Sequence, residues 1–174
     1  MNIDSNCQVR PMVESDLEQI LEWRNHPDVR RYMYTQHEIT LSEHTNWYAK
    51  ANNTPNQYLL IFELGGTPTG FINIKQLEAG AVADWGFYVA PGSEKGTGKK
   101  LGMAVLSYAF RTLKLRKICG QALAYNVPSV KFHTSLGFTQ EGVLREQYFD
   151  GLSYNDVVHF GLLANEWKII ENKV

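Results

Sequence analysis

The sequence predicts a mixed α/β fold: a mostly antiparallel sheet with helices on both faces. Three observations predict it. Two hairpin signals, Gly65-Gly66 and Asp150-Gly151, each join a pair of apolar, β-type runs. A β-type run, Ala81 to Val89 (AVADWGFYV), passes through a glycine-rich loop into a helical run, Leu101 to Leu113 (LGMAVLSYAFRTL). Elsewhere the apolar spacing changes between the helical and the strand period, giving the order β-α-α-α-β-β-β-α-β-α-β-β.

Gln8 to Met12 is a short strand. Ser15-Asp16-Leu17-Glu18 reads as a capping box opening an amphipathic helix through Trp23, with Leu17, Ile20, Leu21 and Arg24 at helical spacing. Asn25-His26-Pro27 breaks that helix, and Pro27 suits the first turn of another through about Tyr32. After RRYMYT (Arg30 to Thr35), a second capping box, Thr40-Leu41-Ser42-Glu43, starts a helix through about Lys50 that carries His44 and Trp47. Gln57 to Leu64 and Pro68 to Gln76 are the arms of the first hairpin, and Ala81 to Val89 is the next strand. Lys117 to Leu123 is a strand, Val127 to Leu136 a helix, and Phe138 to Phe149 with Ser153 to Leu163 the second hairpin.

A length of 174 residues suits one domain, residues 1–174, with room for a full core. Hydrophobic content of 44% with 12% aromatics is that of a globular chain. A net charge of −1 argues against nucleic acid as a partner. No apolar stretch approaches the ~18 residues of a membrane span, and MNIDSNCQVR carries no signal-type apolar segment. Cys7 and Cys119 form no CxxC, so reduced thiols in the cytoplasm are the expectation. The histidines show no metal-ligand spacing, and no metal is expected.

The loop after the fourth strand, Val89 to Gly102 (VAPGSEKGTGKKLG), is the informative stretch. Glycines at a strand-to-helix junction permit a tight turn and leave amide N–H groups uncovered. At a helix N-terminus those groups lack internal partners and carry the positive end of the dipole, which suits phosphate. A P-loop is excluded because Gly98-Lys99-Lys100 lacks the hydroxyl that would hold magnesium. A dinucleotide fingerprint is disfavoured because only two glycines are suitably spaced and the loop lies past mid-chain.

The order of elements, with this loop after the fourth strand, resembles the GCN5-related N-acetyltransferase (GNAT) superfamily. Its acetyl-CoA loop reads Gln/Arg-x-x-Gly-x-Gly/Ala, and Ser93-Glu94-Lys95-Gly96-Thr97-Gly98 matches both glycines while departing at Ser93. A second block, Asn126-x-x-Ser129 followed by Leu136-Gly137-Phe138, resembles the Asn-x-x-Ala/Ser…Gly-Phe helix of the superfamily. The resemblance covers nearly the whole chain. It implies a twisted sheet splayed between its fourth and fifth strands, with acetyl-CoA as co-substrate. Amides of Lys95, Gly96, Thr97, Gly98, Lys99, Lys100 and Leu101 would hold the pyrophosphate. Pantetheine would lie between Gly86 to Val89, touching Phe87 and Val89, and Gly120 to Leu123, with Asn126 and Ser129 on its arm. Lys99, Lys100 and Lys131 could screen the 3′-phosphate or stand as solvated surface lysines. Superfamily members are often dimers, and the tail around Trp167 is the expected contributor to a homodimer.

A narrower resemblance lies in Trp23-Arg24-Asn25-His26-Pro27-Asp28-Val29-Arg30, Tyr32-Met33-Tyr34, His44 and Trp47, and again in EGVLREQYFDGLSYNDVVHF. These are similar to the sugar-nucleotide acetyltransferases of pseudaminic acid biosynthesis, which acetylate the 4-amine of UDP-4-amino-4,6-dideoxy-N-acetyl-β-L-altrosamine. The resemblance implies a UDP-amino-sugar acceptor, with Arg24, His44 and Lys75 on the diphosphate and Met33, Tyr34 and Trp47 over the base or sugar. Arg24 pairing with Glu22 or Asp28, and Tyr34 and Trp47 as core, are the plainer alternatives.

Acetyl transfer from a thioester needs a base for the ammonium, donors for the developing oxyanion, and a proton for the thiolate. The resemblance implies an oxyanion donor at the N–H of Tyr88 or Val89. The superfamily often has an acidic tyrosine four residues before the glycine of Gly-Phe, where this chain has His133. Asn126, Ser129 and His133 share a helix stripe, so His133 or water could protonate the thiolate, or His133 simply packs. Asp84, on one strand face with Tyr88, and His44 are the candidate bases; Asn73, an amide, can only orient substrate or water. A GNAT enzyme for a polyamine or a protein N-terminal amine is the alternative, and a non-catalytic CoA-binding module a third reading.

Overall fold

The computed structural model describes residues 6–77 and 80–172. The chain runs β1 (Cys7–Pro11), a 3-10 turn (Glu14–Asp16), α1 (Leu17–Asn25), α2 (Pro27–Arg30), α3 (Leu41–Asn52), β2 (Gln57–Leu64), β3 (Thr67–Gln76) and β4 (Val82–Val89). It continues with α4 (Thr97–Ser107), a π-helical turn (Tyr108–Thr112), β5 (Lys117–Leu123), α5 (Val127–Ser135), β6 (Thr139–Phe149), β7 (Tyr154–Leu163) and α6 (Ala164–Glu171). The strands form one seven-stranded sheet in the order β1-β2-β3-β4-β5-β7-β6. Every neighbouring pair is antiparallel except β4–β5.

That parallel pair is short. It registers only Val82–Asp84 against Lys117–Cys119, and beyond Asp84 the two strands part. This is the splay that the family resemblance implied. Alternation along the strands sends neighbouring residues to opposite faces. Ile72, Ile74 and Trp85 enter a core with Leu101 and Val105 of α4 and Trp167 of α6, whereas Leu59, Ile61 and Phe71 pack with Ile20 and Trp23 of α1 and Tyr48 of α3. Helices therefore cover both faces. No helix among the described residues is long and apolar enough to cross a membrane.

Most of the predicted elements form within a few residues of their expected ends, with three corrections. The capping box expected at Ser15 does not form: the Asp16 carboxylate instead accepts the Val13 N–H at 2.9 Å and a two-point bond from Arg10 at 2.7 and 2.9 Å, so α1 starts at Leu17. The second box does form: Thr40 Oγ1 accepts from the Glu43 N–H at 3.2 Å, and the Thr40 N–H donates to Glu43 Oε2 at 2.7 Å. The long helix begins at Thr97, four residues before the predicted Leu101. Helix α6 was not predicted, and Trp167 within it is buried against Phe110, ring centroids 6.2 Å apart, so its side chain serves the core.

Candidate active site

Where β4 and β5 part, a cavity of about 800 Å³ opens. One end is walled by β4, Gln121 to Leu123 of β5, Gly98, and Asn126, Ser129 and Phe132 of the following helix; the other by Arg24, the segment Tyr32 to Ile39, His44, Trp47, Phe71 and Asn73.

Strand parity fixes what the gap offers. The Ala81 carbonyl accepts from Arg116 at 2.6 Å, whereas the Ala90 N–H donates to Thr69 O at 2.8 Å. Odd-numbered backbone groups of β4 thus turn toward β5, and even-numbered ones toward β3. Past the last paired residue, Phe87 and Val89 present N–H and C=O groups to the open gap. Tyr88, even-numbered, turns its backbone groups to Phe71 of β3 instead. Of the two oxyanion donors anticipated, only Val89 has the right parity. On β5, Ala124 donates to Asp156 O at 2.9 Å, so Gln121 and Leu123 face the gap from the other side.

At the head of α4, Gly96 takes φ +99°, a left-handed conformation that strongly favours glycine. Thr97 donates to Glu94 O and Lys100 to Gly96 O, both at 3.1 Å. The N–H groups of Gly98 and Lys99 have no backbone acceptor among the described residues, as expected of a helix start. These amides fit a phosphate group, and the gap-facing amides fit an extended amide-bearing arm. Other residues of the loop stand elsewhere. Leu101 is fully buried in the core, Thr97 is buried, and Lys95, Lys99, Lys100 and Lys131 expose their side chains outside the cavity wall. Ser93, where the family has Gln or Arg, donates its hydroxyl to Ala90 O at 2.6 Å and so braces the turn.

Asn126 caps α5: its Oδ1 accepts from the Ser129 N–H at 3.2 Å. His133 requires a correction. It is 1% exposed and lies outside the cavity wall. Its Nδ1 lies 2.8 Å from Ser129 O, which can only accept, and its Nε2 lies 3.2 Å from Trp85 Nε1, which can only donate. Those partners fix a neutral tautomer with both ring nitrogens occupied. Burial drives its pKa below 6.5, only partly offset by the Ser129 bond. His133 is thus closed off from the cavity, and the geometry is that of the packing alternative.

At the acceptor end, Arg24 pairs with neither Glu22 nor Asp28. Its Nη2 donates to Thr35 O at 2.7 Å, while its buried Nη1 has no partner among the described residues. His44 is 4% exposed and stacks on Trp47, ring centroids 5.1 Å apart. Burial first, and then Arg24, push its pKa below 6.5; Leu17 takes one hydrogen bond from its ring, and Nε2 has no partner among the described residues. Asn73 stands in the wall and accepts from Gln57 Nε2 at 3.2 Å. Met33 and Tyr34 line the same end, and burial raises the pKa values of Tyr34 and Tyr88. Lys75 and Asp84 are cross-strand neighbours outside the wall. Burial raises the Asp84 pKa, with His159 and Lys75 opposing. Neither side chain joins the cluster expected of it, because both lie at the closed root of the splay.

The sequence reading missed Tyr32, Thr35, Ile39, Trp85 and Phe132 in the wall. Phe132 was accessible from its spacing three residues beyond Ser129; the others depend on how distant segments meet. Among the described residues no group of His, Cys, Asp or Glu could hold a metal ion.

Comparison with known proteins agrees with this geometry. Residues 7–139 match the model of the acetyltransferase (GNAT) domain. The prophage-derived uncharacterized N-acetyltransferase YokL of Bacillus subtilis is 33% identical over 88 residues, 49% of this chain and 50% of its own length. The acetyltransferase PseH of Campylobacter jejuni is 29% identical over 128 residues, 71% of this chain and 77% of its own. The spermidine N-acetyltransferase of Vibrio cholerae, solved with CoA and spermine, superposes with a TM-score of 0.86 over 95% of this chain and 99% of that one, at 22% identity. The chain belongs to the GNAT family of acetyltransferases, enzymes that carry an acetyl group from acetyl-CoA to an amine.

Proposed function

We propose that this protein acetylates the 4-amine of a UDP-linked 4-amino-4,6-dideoxy sugar. The observation that carries the reading is Arg24, a half-buried guanidinium at the acceptor end whose buried Nη1 has no partner among the described residues. A half-buried cation with an open donor suits an anionic group such as a diphosphate. The carboxylates of the same wall are already engaged: Asp28 lies 3.3 Å from Arg31, and Glu43 lies 3.2 Å from His37 and caps α3. A polyamine would need free carboxylates where the cavity presents a free cation. The resemblance of the first 50 residues to the sugar-nucleotide acetyltransferases of pseudaminic acid biosynthesis supports the same acceptor.

Acetyl-CoA supplies the thioester. The uncovered amides of Gly98 and Lys99 bind its pyrophosphate, and Phe87 and Val89 hold the extended arm in the gap. The Val89 N–H stabilises charge developing on the acetyl oxygen. Arg24 binds the acceptor diphosphate, with Trp47 and Tyr34 against its flat or apolar parts. His44, neutral and with a free Nε2, takes the amine proton directly or through water. With His133 withdrawn, water returns a proton to sulfur.

The test is CoA release from acetyl-CoA with four acceptors: the UDP-4-amino-altrosamine compound, an isomeric UDP-4-amino sugar, spermidine, and a short ribosomal-protein N-terminal peptide. Turnover confined to the altrosamine nucleotide is the expected result. Turnover with spermidine or peptide instead would overturn the acceptor reading, and binding of acetyl-CoA without turnover of any acceptor would favour a non-catalytic module.

A further inference from the structure

The hydrogen-bonded series Ser129–His133–Trp85 stands just outside the cavity wall at His133, yet its two ends, Ser129 and Trp85, are wall residues. We infer that His133 is a positioning residue that sets the geometry of the cofactor cleft. The inference rests on the reading that acetyl-CoA occupies the gap between β4 and β5.

Trp85 is the first β4 residue past the last pair with β5, Asp84 with Cys119. Its indole N–H reaches His133 on α5, and the imidazole passes the connection on to the Ser129 carbonyl in the first turn of that helix. The bond crosses directly over Gly120 of β5. A Cβ at Gly120 would stand 2.4 Å from His133 Nε2 and 2.8 Å from Trp85 Nε1, so only glycine leaves room for it. The imidazole also stacks flat on Phe160 of β7, centroids 4.7 Å apart and planes within 6°. One ring therefore ties β4, α5 and β7 together at the root of the splay.

The other rings around it, Phe87, Phe132 and Phe138, are apolar, and none brings a charge to the imidazole. Within this enclosure the side chain must accept from Trp85, since an unpaired buried indole N–H is costly, and by donating at its other end it adds a second bond to the Ser129 carbonyl. Imidazole does both while holding Ser129 and Asn126 at a fixed distance from β4. The amides of the gap and the helix cap that faces them are thereby kept in register with each other.

The experiment compares wild type with His133→Gln, His133→Phe and Trp85→Phe, measuring the Kd of CoA by calorimetry and kcat over pH 6 to 9. Glutamine can accept from Trp85 and donate to Ser129 but does not titrate in that range. The expected result is that Gln binds CoA within about threefold of wild type and keeps its kcat profile. Phe at either position weakens CoA about tenfold, as loss of a buried, fully paired bond would. A Gln variant as impaired in kcat as Phe, with the alkaline limb of the profile altered, would identify His133 as a proton donor and overturn the inference. Unchanged CoA affinity in both Phe variants would overturn it as well. If His133→Phe does not fold, Trp85→Phe severs the same bond from the other side and decides. A wild type that binds no CoA would overturn the cofactor reading and this inference with it.

Discussion

His44 and His133 are both buried with pKa values pushed below 6.5, chiefly by burial. Each is neutral in the fold and accepts a proton more readily when unfolded. The stability they contribute is present above about pH 6.5 and falls as the pH drops through the folded values. The melting temperature is therefore expected to fall between pH 7.5 and pH 5, a window above the lowered pKa of Asp16. His133→Gln should flatten that slope in part, leaving the share of His44, and differential scanning fluorimetry at stepped pH reads both. An unchanged slope would mean that His133 titrates normally. The helix stripe of Asn126, Ser129 and His133 was legible in the sequence. The burial of His133 was not, because its partner Trp85 and the glycine beneath it lie on other strands.

The irregular segment from Arg31 to Ile39 lines the acceptor end, and neighbouring elements hold it in place. Asn25 exchanges two hydrogen bonds with the Ile39 backbone, each 2.8 Å, and Arg24 holds Thr35 O. From the far side of the sheet, Tyr148 of β6 donates to Tyr34 O at 3.0 Å and meets the Tyr34 ring edge-on at 5.1 Å. Tyr148→Phe keeps the ring and removes the hydroxyl. Its expected effect is an acceptor KM about fivefold higher, with the acetyl-CoA KM within about twofold, by steady-state kinetics. Equal changes in both constants would mean a general loss of structure. The helices flanking this segment could be read from Thr40-Leu41-Ser42-Glu43 and from Pro27, since capping chemistry is local. Its path could not, because it is fixed by a tyrosine more than a hundred positions away. Helix α6 escaped for a related reason: its N-cap residue, Leu163, has no polar side chain to mark the start, and the segment is helical because Trp167 is drawn into the core.

The sheet is in effect two antiparallel pieces, β1 to β4 and β5 to β7, joined by one short parallel register. Local pattern revealed the hairpins and the mixed character of the sheet. The splay itself was implied only by the family resemblance, since where two strands stop pairing depends on what is wedged between them. A ligand bound in the gap would contact both pieces, so its effect on stability should be large. Saturating CoA at about 100 times its Kd should add about 2.7 kcal/mol to unfolding, seen as a melting temperature that climbs with CoA concentration. A melting temperature indifferent to CoA would mean that the folded protein does not bind it.

The divergence of β4 and β5 also bears on how the empty protein behaves among its own kind. The groups exposed at Phe87 and Val89 form an internal strand edge, and a bare edge will pair with any extended chain that can enter. Helix α5 and the segment from Tyr32 to Ile39 flank that opening, so they act as guards as well as binding walls. The cofactor, by filling the edge, would shield it from stray peptide.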